Sequence, residues 1–307
     1  MKRLSLFLLA LSLLAGCSKA PLPSWHESPQ KQRILDFVGT VSNPASNGFV
    51  PQSQRIAVFD LDGTLASEKP NYSNYLFLTS FVQEAASRHP QMKTVQPFAA
   101  ILDNDTNYLR SHYTDIYTQV FADSSLQAYH RYADAFLHTP HPLFKQPFYL
   151  TYYQPMAELI QLLQQHQFKV FICSGSQQEF VRRFGALAFG LPPQQCIGST
   201  MQWDYHNGRY TRTNQLLRLN DHAGKCQGIL DRIGTTPILC VGNSTGDAAM
   251  LGLTDSSPLP HLNMILIHDD AVREFAYKKP ALEELATQHN WLQISMKKQF
   301  KQVFSSQ

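Results

Sequence analysis

The sequence is poor in charge. Lys and Arg together number 26 and Asp and Glu 23 in 307 residues, giving a net charge of +3 with 16% charged side chains. No dense Lys/Arg block occurs, which excludes the basic footprint of a nucleic-acid binder. The body of the chain has no apolar run long enough to span a bilayer. The five cysteines have no metal-type spacing, among themselves or with histidine. There is no internal repeat and no low-complexity tract. What is present is 43% hydrophobic and 11% aromatic, the composition of an ordinary packed core. The length suits one sizeable α/β domain with an insertion, or two domains.

The N-terminus is a different kind of sequence. Lys2-Arg3 precedes an apolar stretch from Leu4 to Ala15 that is too short for a transmembrane helix and has the pattern of a signal peptide. It closes on Leu14-Ala15-Gly16-Cys17, which resembles the lipobox of bacterial lipoproteins, whose cysteine becomes the acylated first residue of the mature chain. A plain secretory signal needs small residues before the cut but no cysteine there. Ser18, rather than Asp, suits transfer to the outer membrane in Gram-negative bacteria. Several acyl chains make such an anchor stable. The expectation is a protein lipid-anchored in the bacterial cell envelope, at the outer membrane facing the periplasm. Residues 1–17 would be signal and lipobox, and 18–50 a linker and stem, with Pro21, Pro23 and Pro29 in its first part. Of the four remaining cysteines, Cys173 and Cys240 lie in strand-like runs and read as core residues, whereas Cys196 and Cys226 are the disulfide candidates.

Four apolar runs end in polar residues or glycine: Ile56–Phe59, Phe168–Cys173, Ile238–Val241 and Met264–Ile267. Helical patterns lie between them, as at Met156–Leu163 and Gln177–Phe184. This alternation predicts an α/β fold, a Rossmann-like parallel sheet with helices on both faces. Met201–Tyr205, His206-Asn207-Gly208 and Arg209–Thr211 predict a small β-hairpin with a tight Asn-Gly turn. The stretch 66–149 is aromatic, helix-patterned and broken by prolines. It separates the first two strands by about a hundred residues, far more than a crossover needs. It is read as an inserted helical cap on a core made of 51–65 and 150–307.

Chemistry-bearing residues sit at the strand ends. The first strand runs into Asp60-Leu61-Asp62-Gly63-Thr64, two carboxylates at i, i+2 that face one way on an extended chain. Gly63 allows a sharp turn and close approach of backbone N–H groups to an anion. Paired acids imply a cation or one protonated member. Ser174-Gly175-Ser176 ends the second strand with a hydroxyl and N–H groups, either a phosphate cradle or a helix N-cap. Lys225, at a helix start, could neutralise phosphate oxygens and keep Asp60 ionised. Gly242-Asn243-Ser244-Thr245-Gly246-Asp247 places oxygen ligands just past another strand, where Asn243 and Asp247 suit a hard cation.

Taken in order, these four segments resemble the haloacid dehalogenase superfamily, in particular its phosphoserine-phosphatase-like phosphohydrolases, over about Arg55 to Phe304. Within it the likeness is to bacterial exported phosphatase-like hydrolases, which share Glu68-Lys69-Pro70, His268-Asp269-Asp270, Arg273-Glu274-Phe275-Ala276-Tyr277 and Met296-Lys297-Lys298. The resemblance implies a Mg²⁺-dependent phosphomonoester phosphatase acting on a small extracytoplasmic metabolite. Asp60 would be the nucleophile and Asp62 the acid and base. Gly63, Thr64, Ser174, Gly175 and Lys225 would bind phosphate, and Asp60, Asp62, Asn243 and Asp247 the metal. Phosphoserine phosphatases carry Asp where this chain has Asn243, and the cap shows no substrate signature.

Other readings share parts of the pattern. A dehalogenase of this fold needs neither Mg²⁺ nor Asp62. A phosphotransferase would share every motif, and a non-catalytic surface lipoprotein would need none. The tyrosines of the cap (72, 75, 108, 113, 117, 129 and 132) read as core, or as an aromatic wall for a cationic head group.

If Cys17 is acylated, Cys17→Ser releases the protein from the membrane fraction or leaves its precursor uncut. Mass spectrometry of the wild-type N-terminus then shows a lipid-modified cysteine, and an unmodified residue there would end the anchor expectation.

Overall fold

The computed structural model describes residues 20–305; the signal stretch 1–17 and Cys17 lie outside the described residues. A seven-stranded sheet runs in the order β4-β3-β2-β1-β5-β6-β7. Its strands are β1 (Ile56–Phe59), β2 (Lys169–Gln177), β3 (Cys196–His206), β4 (Arg209–Arg218), β5 (Leu239–Gly242), β6 (Leu262–Ile267) and β7 (Leu292–Ser295). All neighbours pair parallel except β3 and β4. The fold is therefore the α/β, Rossmann-like one expected.

Alternation along β1 shows why the sheet is covered on both faces. Ala57 and Phe59 join the larger apolar cluster, while Ile56 and Val58 join the one across the sheet. Helix α1 (Pro29–Ser42) comes before β1. Five helices lie in the stretch 66–149: α2 (Ser73–Arg88), α3 (Phe98–Asp103), α4 (Thr106–Ser111), α5 (Tyr113–Gln119) and α6 (Leu126–Leu137). Next come α7 (Gln154–Gln165), α8 (Gln178–Phe189), α9 (Ala223–Ile233), α10 (Ala248–Asp255), α11 (Pro280–Gln288) and the short α12 (Met296–Gln299).

The hairpin turns where expected, with φ of 48° at Asn207 and 79° at Gly208, the two positive values an Asn-Gly turn of this kind requires. It is larger than its sequence pattern suggests, because β3 continues the central sheet and pairs with β2. The strands β3 and β7 were not among the four runs read from sequence.

Two expectations need correction. The flexible stem over 18–50 is not a stem from residue 20 onward. Leu22 and Trp25 are buried, the Trp25 indole donates to the Pro155 carbonyl at 2.9 Å, and its ring meets Phe300 edge-on. Ser28 caps α1, whose Ile34, Val38 and Val41 form a buried stripe at i, i+4, i+7. Of the prolines that suggested a linker, Pro29 stands in the first turn of that helix. The cysteines are the second correction. Cys173, Cys196, Cys226 and Cys240 are all free thiols, so Cys196 and Cys226 form no disulfide. Cys196 is buried, with burial pushing its thiol up to about 12, and it packs as an apolar residue.

Trp25 is completely buried, so Trp25→Ala should cost about 3–5 kcal/mol of stability, as for other buried Trp truncations. A urea midpoint unchanged from wild type would show that the segment before α1 is dispensable.

Candidate active site

The parallel strands β2, β1 and β5 lie side by side, so the loops at their C-terminal ends meet at the point where strand order reverses. Phe59 pairs with Ile172 and with Val241, and the Asp60 N–H donates to the Val241 carbonyl at 2.9 Å. Asp60 therefore stands level with the start of the other two loops.

Lys225 comes from the first turn of α9 and enters this junction buried. Its Nζ lies 2.6 Å from Asp60 Oδ1 and 2.5 Å from Asp247 Oδ1, with all three side chains at most 8% exposed. Burial alone would strip the proton from Lys225, but the Asp247 and Asp60 carboxylates hold its pKa well above the usual lysine value. Asp60 is pushed up by burial and then by the neighbouring Asp247 charge, against the pull of Lys225. Asp247 is fixed by its other oxygen. Oδ2 accepts from the Asn243 N–H at 3.0 Å, the Ser244 N–H at 2.9 Å and the Ser244 hydroxyl at 3.1 Å, a capping box for the turn before α10.

Asp62 lies in a different environment. Its Oδ2 accepts from Ser176 Oγ at 2.9 Å and Ser174 Oγ at 3.3 Å. Burial raises it to about 6; the Ser176 bond lowers it and the nearby Glu68 charge raises it further. The turn beyond depends on Gly63, at φ +80°. A Cβ there would fall 2.0 Å from Asn243 Nδ2 and 2.9 Å from the Glu68 carboxyl carbon, so only glycine fits. Buried Thr64 donates to Asn243 Oδ1 at 3.3 Å.

The second cradle is built otherwise than a helix cap. The strand runs on through Ser174 to Gln177, with its pairing to β3 shifted, and α8 begins at Gln178. Ser174 and Ser176, two apart on this extended segment, therefore point the same way, both at Asp62. The Gly175 carbonyl accepts from Ser199 Oγ at 2.7 Å and Tyr117 OH at 3.3 Å. Asn220 fixes Ser174 through its carbonyl at 2.9 Å.

Every site residue named from the sequence within 20–305 is thus brought to this one junction: Asp60, Asp62, Gly63, Thr64, Ser174, Gly175, Lys225, Asn243 and Asp247. Sequence reasoning gave no role to Ser176, although the i, i+2 spacing that joined Asp60 to Asp62 would have found it. It also left Glu68, His268, Glu274 and Tyr277 without roles. The cap tyrosines do not form one wall. Tyr129 is core, Tyr132 packs on Phe77 and Phe81, and Tyr113 is exposed. The phenols of Tyr72 and Tyr117 are raised by burial and, in part, by the charge of Asp62.

Whether a hard cation suits these residues is decided by charge and donor type. Asp60, Asp62, Asp247 and Glu68 are four acids facing two ammonium groups, Lys225 on Asp60 and Asp247 and Lys279 at 4.0 Å from Glu68 Oε1, an oxygen that is buried and accepts no hydrogen bond. Oxygen donors with excess negative charge are what Mg²⁺ takes. Asn243 Oδ1, already facing Thr64, adds a neutral oxygen. The residues fit.

The profile described as haloacid dehalogenase-like hydrolase matches residues 57–252. No curated protein matches the chain. Among solved structures, a conserved protein of unknown function from Anaerococcus prevotii aligns with a TM-score of 0.57 and 12% identity, covering 86% of this chain and 90% of that one. A haloacid dehalogenase family hydrolase from Salmonella enterica serovar Typhi gives 0.44 and 16% over 82% and 71%. A phosphoserine phosphohydrolase-like protein from Francisella tularensis gives 0.39 and 14% over 75% and 99%.

Proposed function

The chain belongs to the haloacid dehalogenase-like hydrolases, and from that premise we propose that it is a Mg²⁺-dependent phosphomonoester phosphatase working through an aspartyl-phosphate. One observation carries the reading: the two carboxylates of the first loop are held in opposite ways, Asp60 against an ammonium and Asp62 against two hydroxyls. Paired acids in unlike environments suit unlike roles.

Asp60 attacks phosphorus, and the bond to the alcohol oxygen breaks. Asp62, raised to about 6, delivers its proton to that leaving oxygen, then takes one from the water that attacks the phosphorus and frees Asp60. Lys225, Thr64 and Ser174, with the backbone N–H at Gly175, bind the phosphoryl oxygens as charge spreads over them; the Gly63 N–H, expected to join them, is already given to the Ala66 carbonyl. Asp60, Asn243, Asp247 and the Asp62 carbonyl would hold Mg²⁺. Bound there, it supplies positive charge that lets an anionic phosphate approach a carboxylate nucleophile. The substrate is a small phosphorylated metabolite. We further place the enzyme in the cell envelope, outside the cytoplasm and anchored through Cys17, on the strength of the lipobox-like Leu14–Cys17 sequence.

Asp60→Asn should lower turnover of phosphomonoesters about a thousandfold or more with the fold intact, as removal of a covalent nucleophile does elsewhere. Near-normal turnover, after mass spectrometry excludes deamidation, would sink the nucleophile assignment.

The metal loop has its own test, activity against Mg²⁺ concentration. Asp247→Asn should raise the half-saturating Mg²⁺ about tenfold or more, and Asn243→Asp should lower it by restoring a charge. Three superimposable curves would return this loop to plain helix capping.

A further inference from the structure

The Asp62–Ser67 turn is gripped from a second direction by buried side chains of the C-terminal region. His268 follows β6, with its side chain 1% exposed and that of Glu274 at 0%. His268 Nε2 lies 2.7 Å from the Gly63 carbonyl oxygen. A carbonyl can only accept, so Nε2 carries the proton and donates it. On the ring's other edge, Nδ1 lies 3.2 Å from Glu274 Oε2. Glu274 is itself fixed: Oε1 accepts from Ser67 Oγ and Tyr153 OH, each at 3.0 Å, and Oε2 from the Phe275 N–H at 2.7 Å. The imidazole also stacks on Tyr277, centroids 4.4 Å apart at 18°.

Glycine leaves a chain free unless something outside holds it, and Gly63 precedes Thr64 and follows Asp62 directly. Its N–H is tied to the Ala66 carbonyl at 2.7 Å, and its carbonyl is tied by His268. A buried ionisable pair is weak ground for stability. What this one supplies is orientation, and a misplacement of about 1 Å in a reacting group can cost about a hundredfold in rate.

We infer that His268 and Glu274 are positioning residues: Glu274 orients the His268 ring, and His268 anchors the Gly63 carbonyl so that Asp62 meets the leaving-group oxygen. This rests on Asp62 being the general acid.

The test uses leaving groups of different need. A nitrophenolate departs without a proton, whereas an alkoxide requires one. His268→Phe keeps the stacked ring and loses the donor. On glycerol 2-phosphate its kcat/KM, which covers the steps up to loss of the alcohol and not the later attack of water, should fall about tenfold or more, and on p-nitrophenyl phosphate less than about threefold. His268→Gln, which can still reach the carbonyl with an N–H, should restore the wild-type ratio. Equal losses on the two substrates, no loss, or a Gln variant as biased as Phe would overturn the inference. Should His268→Phe not fold by circular dichroism, Glu274→Gln decides: a rise in the same bias supports it, and an unchanged ratio overturns it. Asp60→Asn is measured alongside. Its silence on both substrates upholds the functional reading whatever the His268 ratio, while retained turnover there removes that reading and this inference together.

Discussion

Lys225 keeps apart two carboxylates that the sheet forces together. Asp60 ends β1 and Asp247 ends the loop after the neighbouring β5, so their approach follows from strand order alone. Two buried like charges without a counter-ion would each carry a desolvation cost of several kcal/mol and repel each other besides. The ammonium arrives from α9, the connection between β4 and β5, on a side chain long enough to cross to both. One ion-paired cluster thus closes three chain segments at the sheet's switch point. Lys225 balances only one of the two charges it touches, and while Glu68 faces Lys279 at 4.0 Å, Asp62 has only two hydroxyls against it. A phosphate group carries negative charge of its own, so this lysine alone cannot make the junction welcoming to it. That imbalance is the physical ground for the divalent cation we propose.

Much of this was legible beforehand because it depends on local pattern. Ile56–Phe59 is a short β-branched and aromatic run, and it is β1 to the residue. The Asn-Gly turn announces itself through two positions that need positive φ. The carboxylates, Ser174 and Asn243–Asp247 stand where apolar runs stop, and parallel pairing gathers such ends on one edge, while Lys225 opens a helix. What escaped the reading depends on partners far along the chain. Trp25 is a core residue only because Phe300 and Pro155 are there to meet it. β7 is four residues with two half-buried positions, too weak a run to stand out. Glu274 and His268 look like part of a polar stretch until the fold brings Gly63 within reach of the imidazole. Cys196 and Cys226 suggested a bridge by compartment, but one is buried at the start of β3 and the other half-buried on α9, both as free thiols.

The insertion between β1 and β2 is fastened where it matters for the chemistry. It leaves the core at Ala66, which bridges both to Asp62 and to Tyr152, and the Ser67 N–H donates to the Thr151 carbonyl at 3.1 Å. The Tyr153 N–H returns to the Leu65 carbonyl at 2.8 Å, and its hydroxyl reaches Glu274. Both ends of about eighty helical residues are therefore pinned to each other and to the acid-bearing turn. Further out the insertion is tied to the core again: the Asp123 N–H donates to the Arg212 carbonyl and the Arg212 N–H to the Ser124 carbonyl, each at 2.9 Å, Arg183 grips Asp134 at 2.6 and 2.7 Å, and Tyr117 OH touches the Gly175 carbonyl at 3.3 Å. Backbone bonds thus fasten the insertion at its two ends and again at Asp123 and Ser124, and its Phe77 and Phe136 rings pack on Phe180 of α8 within the apolar cluster that also holds Ala57 and Phe59 of β1. The turn carrying Asp62, Gly63 and Thr64 is therefore clamped between two bodies that share one core, which keeps it in register with Asp60 and Lys225.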